Sequence, residues 1–114
     1  MKMVKSPPEL VDRFNTVLDR YPEASRKQMF GYPAAFIGGN LATSLFADHW
    51  IVRLGEPDLG QLMALDGSGE LEVMPGRRMK GYAIVPPGIV ADDAALEGWI
   101  HKAFAHVRTL PVKK

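Results

Sequence analysis

A short cationic segment followed by a tyrosine holds the densest set of chemically capable side chains. Residues 73–91 contain three cations, Arg77, Arg78 and Lys80, and no acidic side chain. Two guanidinium groups can hold a carboxylate or a phosphate bidentately, and Tyr82 adds a ring on which a ligand can stack. The pattern predicts an anion site on a hairpin loop between two strands.

The alternative for this segment is a solvated loop whose cations pair with Glu70 and Glu72, the commoner role of surface charges. Arg53 is a further binding candidate, because the alternation of its neighbours places it on a central strand, where an unpaired buried charge is costly. It is expected to face water or to have a partner, with Glu56 as one choice.

Catalytic and metal-binding patterns are weak. Ser44 lacks the glycine elbow of a nucleophilic serine, and Asp48 beside His49 is typical of a polar turn. His101 and His106 are five residues apart, which separates them on a helix. The chain has no cysteine. No catalytic residue, metal site or cofactor is predicted, and an enzyme using His49 or Tyr82 in a small pocket is the least favoured alternative.

Length and charge limit the class of protein. The 114 residues suit a single domain covering 1–114. Fourteen basic against thirteen acidic side chains give a net charge of +1, whereas nucleic-acid binders usually carry a clear basic excess. No apolar run has membrane-spanning length, and the first residues do not resemble a signal peptide. A cytoplasmic protein that binds neither membranes nor, with any strength, nucleic acids is expected.

Three helices are predicted. Ser6, two prolines and Glu9 form a capping-box pattern before an apolar stripe that ends near Pro22. A short helix is expected after Pro57. The final helix runs from about residue 92 to 108, with Trp99 on its apolar stripe.

The strands between these helices predict tight hairpins. A block from about residue 27 to 54 contains three strands, and two more surround residues 75–81. With two-residue loops, the second of them at residues 48–49, the register opposes Phe36 to Leu41, Ala34 to Thr43 and Leu45 to Val52. It divides the side chains into a bulky core face (Tyr32, Ala34, Phe36, Leu41, Leu45, Trp50, Val52, Leu54) and a mixed face (Pro33, Ala35, Ile37, Ala42, Ser44, Phe46, Ile51, Arg53).

The predicted fold is α+β: an antiparallel sheet of about five strands with three helices mainly on one face, in the order α-β-β-β-α-β-β-α. The mixed face has no helix left to cover it. A sizeable apolar patch on a monomer usually marks a contact site. Ala35, Ile37, Phe46 and Ile51 are therefore predicted interface residues.

Four separated segments resemble the N-terminal domain of the TfoX/Sxy family. They are RKQMFGYPAAF at 26–36, GNL at 39–41, WIVRL at 50–54 and MPGRRMKGY at 74–82. The similarity extends from about residue 12 to 106. Gly81 stands where the family usually has an acidic residue.

The resemblance implies a fold similar to the type III secretion chaperone fold and a regulatory association. Longer family members are competence regulators that act with the cyclic AMP receptor protein and carry a second, C-terminal domain. This chain resembles a stand-alone N-terminal domain, and no catalytic residue is implied for it. We expect a non-enzymatic, regulatory protein-interaction module that binds another protein or a second copy of itself. The alternatives are weak anion or nucleic-acid binding through Arg77, Arg78 and Lys80, or an enzyme of unknown reaction.

Overall fold

The chain folds into one antiparallel sheet with helices. This computed structural model describes residues 5–29, 31–74 and 76–112, and only the backbone of residues 72–74 and 77–79. The elements are α1 (Pro8–Leu18), β1 (Ser25–Met29), β2 (Tyr32–Ile37), β3 (Asn40–Phe46), β4 (His49–Arg53), α2 (Asp58–Met63), β5 (Glu70–Met74), β6 (Arg77–Val85), α3 (Pro87–Val90) and α4 (Asp93–Arg108).

The two long helices occur where the sequence predicts them. Pro8 occupies the start of α1, where its missing N–H costs nothing. The predicted capping box is wrong, because Pro7 is the N-cap residue and Ser6 donates its hydroxyl hydrogen bond to the carbonyl of Ala47, at 2.6 Å. At α4 the carboxylate of Asp92 accepts a hydrogen bond from the backbone N–H of Ala95 and caps the helix.

The α+β class is confirmed, with more elements than predicted. The sheet has six strands in the order β1-β2-β3-β4-β6-β5, and every neighbouring pair is antiparallel. The additional strand, β1, has the sequence SRKQM, and four of its five residues are exposed. Since it is a charged edge strand, it lacks the apolar alternation that would reveal it. The short helix α3 was also not predicted.

The hairpin registers differ from the predicted ones at two places. Phe36 opposes Leu41 as predicted, but Ala35 opposes Thr43 because a β-bulge interrupts the pairing. The second turn lies one residue earlier than predicted, so that Leu45 opposes Trp50. The bulge shifts the alternation between β2 and β3 by one residue, which exchanges the two faces of β2.

One face of the sheet carries the hydrophobic core. Leu45, Trp50 and Val52 belong to a single buried cluster, to which α1, α2 and α4 contribute and against which α3 packs. The rings of Phe14 and Trp50 lie 5.1 Å apart, which fixes α1 on this side. The indole N–H of Trp50 donates to the hydroxyl of Thr43, which in turn donates to a backbone carbonyl. The buried polar groups here are therefore satisfied.

The structure corrects the predicted faces of β2 and the predicted role of Trp99. Tyr32, Ala34 and Phe36 alternate onto the side opposite the helices, because the bulge separates them from the core side of β3. The buried ring of Tyr32 also belongs to the core cluster. Trp50 is 1% exposed and anchors the core. Trp99 is only half-buried, with the ammonium of Lys102 4.7 Å from its ring centroid. No described helix is long and apolar enough to cross a membrane.

Candidate functional site

The helix-free face of the sheet is the candidate site, and we call it the open face. Strand registers and the alternation of side chains define it. It is formed by Ser25, Lys27 and Met29 of β1, Tyr32, Ala34 and Phe36 of β2, Leu41, Ser44 and Phe46 of β3, Ile51 and Arg53 of β4, and Tyr82 and Ile84 of β6.

The side chains at the centre of the open face are buried, and partly exposed aromatic side chains surround them. Ala34, Ser44 and Ile51 are at most 2% exposed, whereas Phe36 and Phe46 are half-buried. Among the described residues, the exposed large hydrophobic side chains are Leu65 and Val112. Neither of them lies on the open face. The open face is thus a set of partly accessible rings around a shielded centre, and not the bare apolar patch that the sequence suggested.

Arg53 and Tyr82 meet at one end of this face. The two residues are opposite each other on β4 and β6, and the guanidinium carbon of Arg53 lies 5.4 Å from the centroid of the Tyr82 ring. Both side chains are half-buried. A guanidinium stacked on an aromatic ring keeps the N–H groups at its edge available for an anion.

The electrostatics of Tyr82 reflect this contact. Burial raises the pKa of the Tyr82 hydroxyl above its usual value of 10.0, while the charge of the neighbouring Arg53 and its hydrogen bond with the hydroxyl act in the opposite direction. The hydroxyl therefore stays protonated at neutral pH and is able to donate a hydrogen bond.

Arg53 differs from the other arginines whose side chains are described. Each of the others forms an ion pair: Arg13 with Asp93 and Arg108 with Glu23 at 2.7 and 2.8 Å, Arg26 with Asp19 at 2.7 Å, and Arg20 with Glu97. Arg53 has no carboxylate partner among the described side chains, and the predicted pairing with Glu56 is not formed. A half-buried guanidinium without a counter-ion is the unusual feature of this face.

A second cation lies over an aromatic ring on the opposite side of the open face. The ammonium of Lys27 is 5.9 Å from the centroid of the Phe36 ring. Neither residue was predicted to contribute to a site, since Lys27 belongs to the unpredicted strand and Phe36 was assigned to the core. The face thus combines rings with positive charges, and none of the residues that define it is a carboxylate.

The predicted cationic segment is part of a strand and not a loop. Arg77, Arg78 and Lys80 lie in β6, which pairs with β5 from Arg77 onward. The side chains of Arg77 and Arg78 are outside the description, so their anion-binding role stays a prediction. Lys80 is exposed and lies two residues before Tyr82. The structure brings together Arg53 and Tyr82 from the predicted binding set.

The predicted interface residues separate onto both sides of the sheet. Ala35 is fully buried in the helix-covered cluster, and Ile37 packs against that cluster. Ile51 lies on the open face but is 1% exposed. Phe46 also packs against that cluster, but the β3–β4 pairing places it on the open face, where it is half-buried with its ring 5.1 Å from the ring of Tyr32. Of these four residues, Phe46 is the one best placed to touch a partner.

A cavity of about 390 Å³ lies between the start of α1, the β3–β4 turn and α3. It contains Asp48 and His49, whose carboxylate oxygen and Nε2 are 3.6 Å apart, above a wall that includes Trp50 and Val85. No serine, threonine or cysteine lines it, and Tyr82 is not among its lining residues. The cavity therefore offers no hydroxyl or thiol nucleophile beside the Asp48–His49 pair. Within the described residues, no group of three potential metal ligands is found.

Comparison with known proteins identifies the family. Residues 16–107 match the TfoX N-terminal domain, so the chain belongs to that family, which is associated with competence regulation. No curated protein and no solved structure gives a significant match. The match covers the whole sheet, α4 except Arg108, and only the last three residues of α1.

Proposed function

We propose that this chain is a non-enzymatic, regulatory protein-interaction domain whose open face binds another protein. The observation that carries the proposal is the arrangement of the sheet: all described helices pack on one side, while the other presents half-buried rings and cations. Tyrosine, phenylalanine and arginine are enriched in protein interfaces. Residues of this kind supply a large share of the binding energy when a partner removes them from water.

The proposal concerns the open face and not the cavity at His49. Arginine and aromatic side chains bind a partner through buried contact area and charge. Catalysis instead needs a nucleophile or a base that is aligned with an orienting group. The cavity lining contains the Asp48–His49 pair but no hydroxyl or thiol nucleophile for that pair to activate. A protein-binding role also agrees with the association of the family with regulation.

Site-specific photo-crosslinking in cells tests this proposal. The photoreactive residue p-benzoyl-phenylalanine is placed at Phe46 on the open face and, as a matched control, at Trp99 on α4. Both positions are aromatic and half-buried, and they lie on opposite sides of the sheet. We expect a discrete protein adduct from position 46 that is absent from position 99.

Mass spectrometry then identifies the adduct. Another protein, or a second copy of this chain, joined at position 46 supports the proposal and distinguishes a heterologous partner from a homodimer. The same adducts from both positions, or none from position 46 in a folded variant, contradict it. Circular dichroism of each variant verifies that the chain is folded.

A further inference from the structure

We infer that Arg53, stacked on Tyr82, receives a carboxylate of the bound partner, so that the open face recognises an acidic protein segment. This inference rests on the proposed function and specifies the chemistry of the partner. Its basis is the half-buried guanidinium of Arg53, which lies 5.4 Å from a tyrosine ring and has no described carboxylate beside it.

The position of Arg53 favours an external anion. Water removed from a guanidinium on binding must be replaced by an opposite charge or by hydrogen-bond acceptors, because an isolated buried charge is costly. The four paired arginines show that this chain provides carboxylates where an arginine has a structural role. At Arg53 it provides Tyr82 instead, whose ring and hydroxyl orient the guanidinium and leave its remaining N–H groups for an anion.

The neighbours of Arg53 favour a carboxylate on a protein over a phosphate on a nucleic acid. Ile84, which is half-buried, lies next to it on the open face, and an apolar neighbour suits a segment that mixes acidic and apolar side chains. Nucleic-acid binding instead requires several cations that neutralise consecutive phosphates. The net charge of this chain is +1.

A second cation indicates how such a segment crosses the face. Lys27 on β1 and Arg53 on β4 are separated by two intervening strands, a distance of roughly 14 Å across the sheet. Between them the face carries Phe36 and other apolar side chains. A segment with acidic residues near both ends and apolar residues between them therefore matches the charges and the surface.

Selection from a phage-displayed library of random short peptides tests the inference. The wild-type chain, Arg53→Gln and Arg20→Gln are used in parallel. Arg20→Gln is the matched control, because it removes the same charge from an arginine that pairs with Glu97 on the helix side. We expect the wild-type chain and Arg20→Gln to select peptides enriched in aspartate and glutamate, and Arg53→Gln to lose that enrichment.

Binding of one resynthesised peptide makes the test quantitative. Arg53→Gln is expected to weaken the Kd about tenfold or more, the effect of removing a charge-assisted pair. Replacing the critical acidic residue of the peptide by its amide should weaken binding to the wild-type chain by a similar factor. The same peptide change should have little further effect on Arg53→Gln, since the partner charge is already gone.

Four other outcomes overturn the inference. Selected peptides without acidic enrichment that still lose binding on Phe46→Glu would contradict the acidic partner and leave the proposed function standing. A single-stranded oligo-dT that binds the wild-type chain and Arg20→Gln but not Arg53→Gln, with no peptide selected, would assign the site to nucleic acid. Peptides that bind equally to all variants, or no ligand at all, would contradict both proposals.

Discussion

The two faces of the sheet have different chemistry although the same strands form both. On the helix-covered face Leu45, Trp50 and Val52 are closed in by helices, and the buried indole N–H has a partner in Thr43. On the open face half-buried rings lie beside cations, and Arg53 has no described carboxylate. Burial and hydrogen bonding account for the residues found on the helix-covered face.

The rings and cations of the open face contribute less to the stability of the fold. A cation over a ring contributes modestly when it is partly in water, and the half-buried rings of Phe36 and Phe46 keep some apolar surface exposed. Residues that stabilise a fold only weakly and retain accessible rings and charge are expected at a binding surface. The contrast between the faces thus separates positions for folding from positions for recognition.

The largest expected effect is on the covered face. Trp50→Ala removes a side chain that is 1% exposed and in contact with Phe14, and it should lower the free energy of unfolding by about 3–5 kcal/mol. Urea denaturation measures this loss. The control is Trp99→Ala, on a half-buried residue, for which a loss below about 2 kcal/mol is expected. Equal losses would show that Trp50 is not the anchor of the core.

Two neighbours on β3 give the most direct comparison of the faces. Leu45 is 1% exposed on the covered side, whereas Phe46 is half-buried on the open side. Leu45→Ala should cost about 2–5 kcal/mol, and Phe46→Ala about 1–2 kcal/mol despite the larger side chain removed. Denaturation of both variants under the same conditions tests the assignment. A larger loss for Phe46→Ala would place the core on the other face.

The smallest expected effect is a change in the titration of Tyr82. Arg53 opposes the rise in the pKa of the Tyr82 hydroxyl that burial causes, so Arg53→Gln should raise this pKa further. The absorbance of tyrosinate measures it, with Tyr82→Phe identifying the signal. Tyr21 is the internal control, because burial and Glu97 raise its pKa to about 12 without Arg53. An unchanged Tyr82 titration in Arg53→Gln would contradict their contact.

The same pKa shift predicts how stability depends on pH. A raised pKa means that the folded state holds the Tyr82 proton more tightly than the unfolded chain does. This contribution to stability is present below pH 10 and is lost as the pH rises through the folded-state pKa. Tyr82→Phe should therefore show a smaller loss of stability above pH 10 than the wild-type chain.

The sequence predicted the elements whose pattern is local. The apolar stripes and terminal signals of α1 and α4, the short helix after Pro57 and the tight hairpins all occur. Strand β1 could not be predicted, because its sequence SRKQM is polar and only its pairing with β2 makes it a strand. Likewise, the position of Arg53 on the open side of β4 followed from alternation, but its stacking on Tyr82 depends on the β4–β6 register.

What the sequence by itself determined was the α+β class, the two long helices and the family, because these depend on periodicity and motifs within short segments. Only the tertiary structure decided which side of β2 faces the helices. The β-bulge between Ala35 and Phe36 changes the pairing by one residue, and since side chains alternate at every residue, that one step transfers Phe36 from the core to the open face.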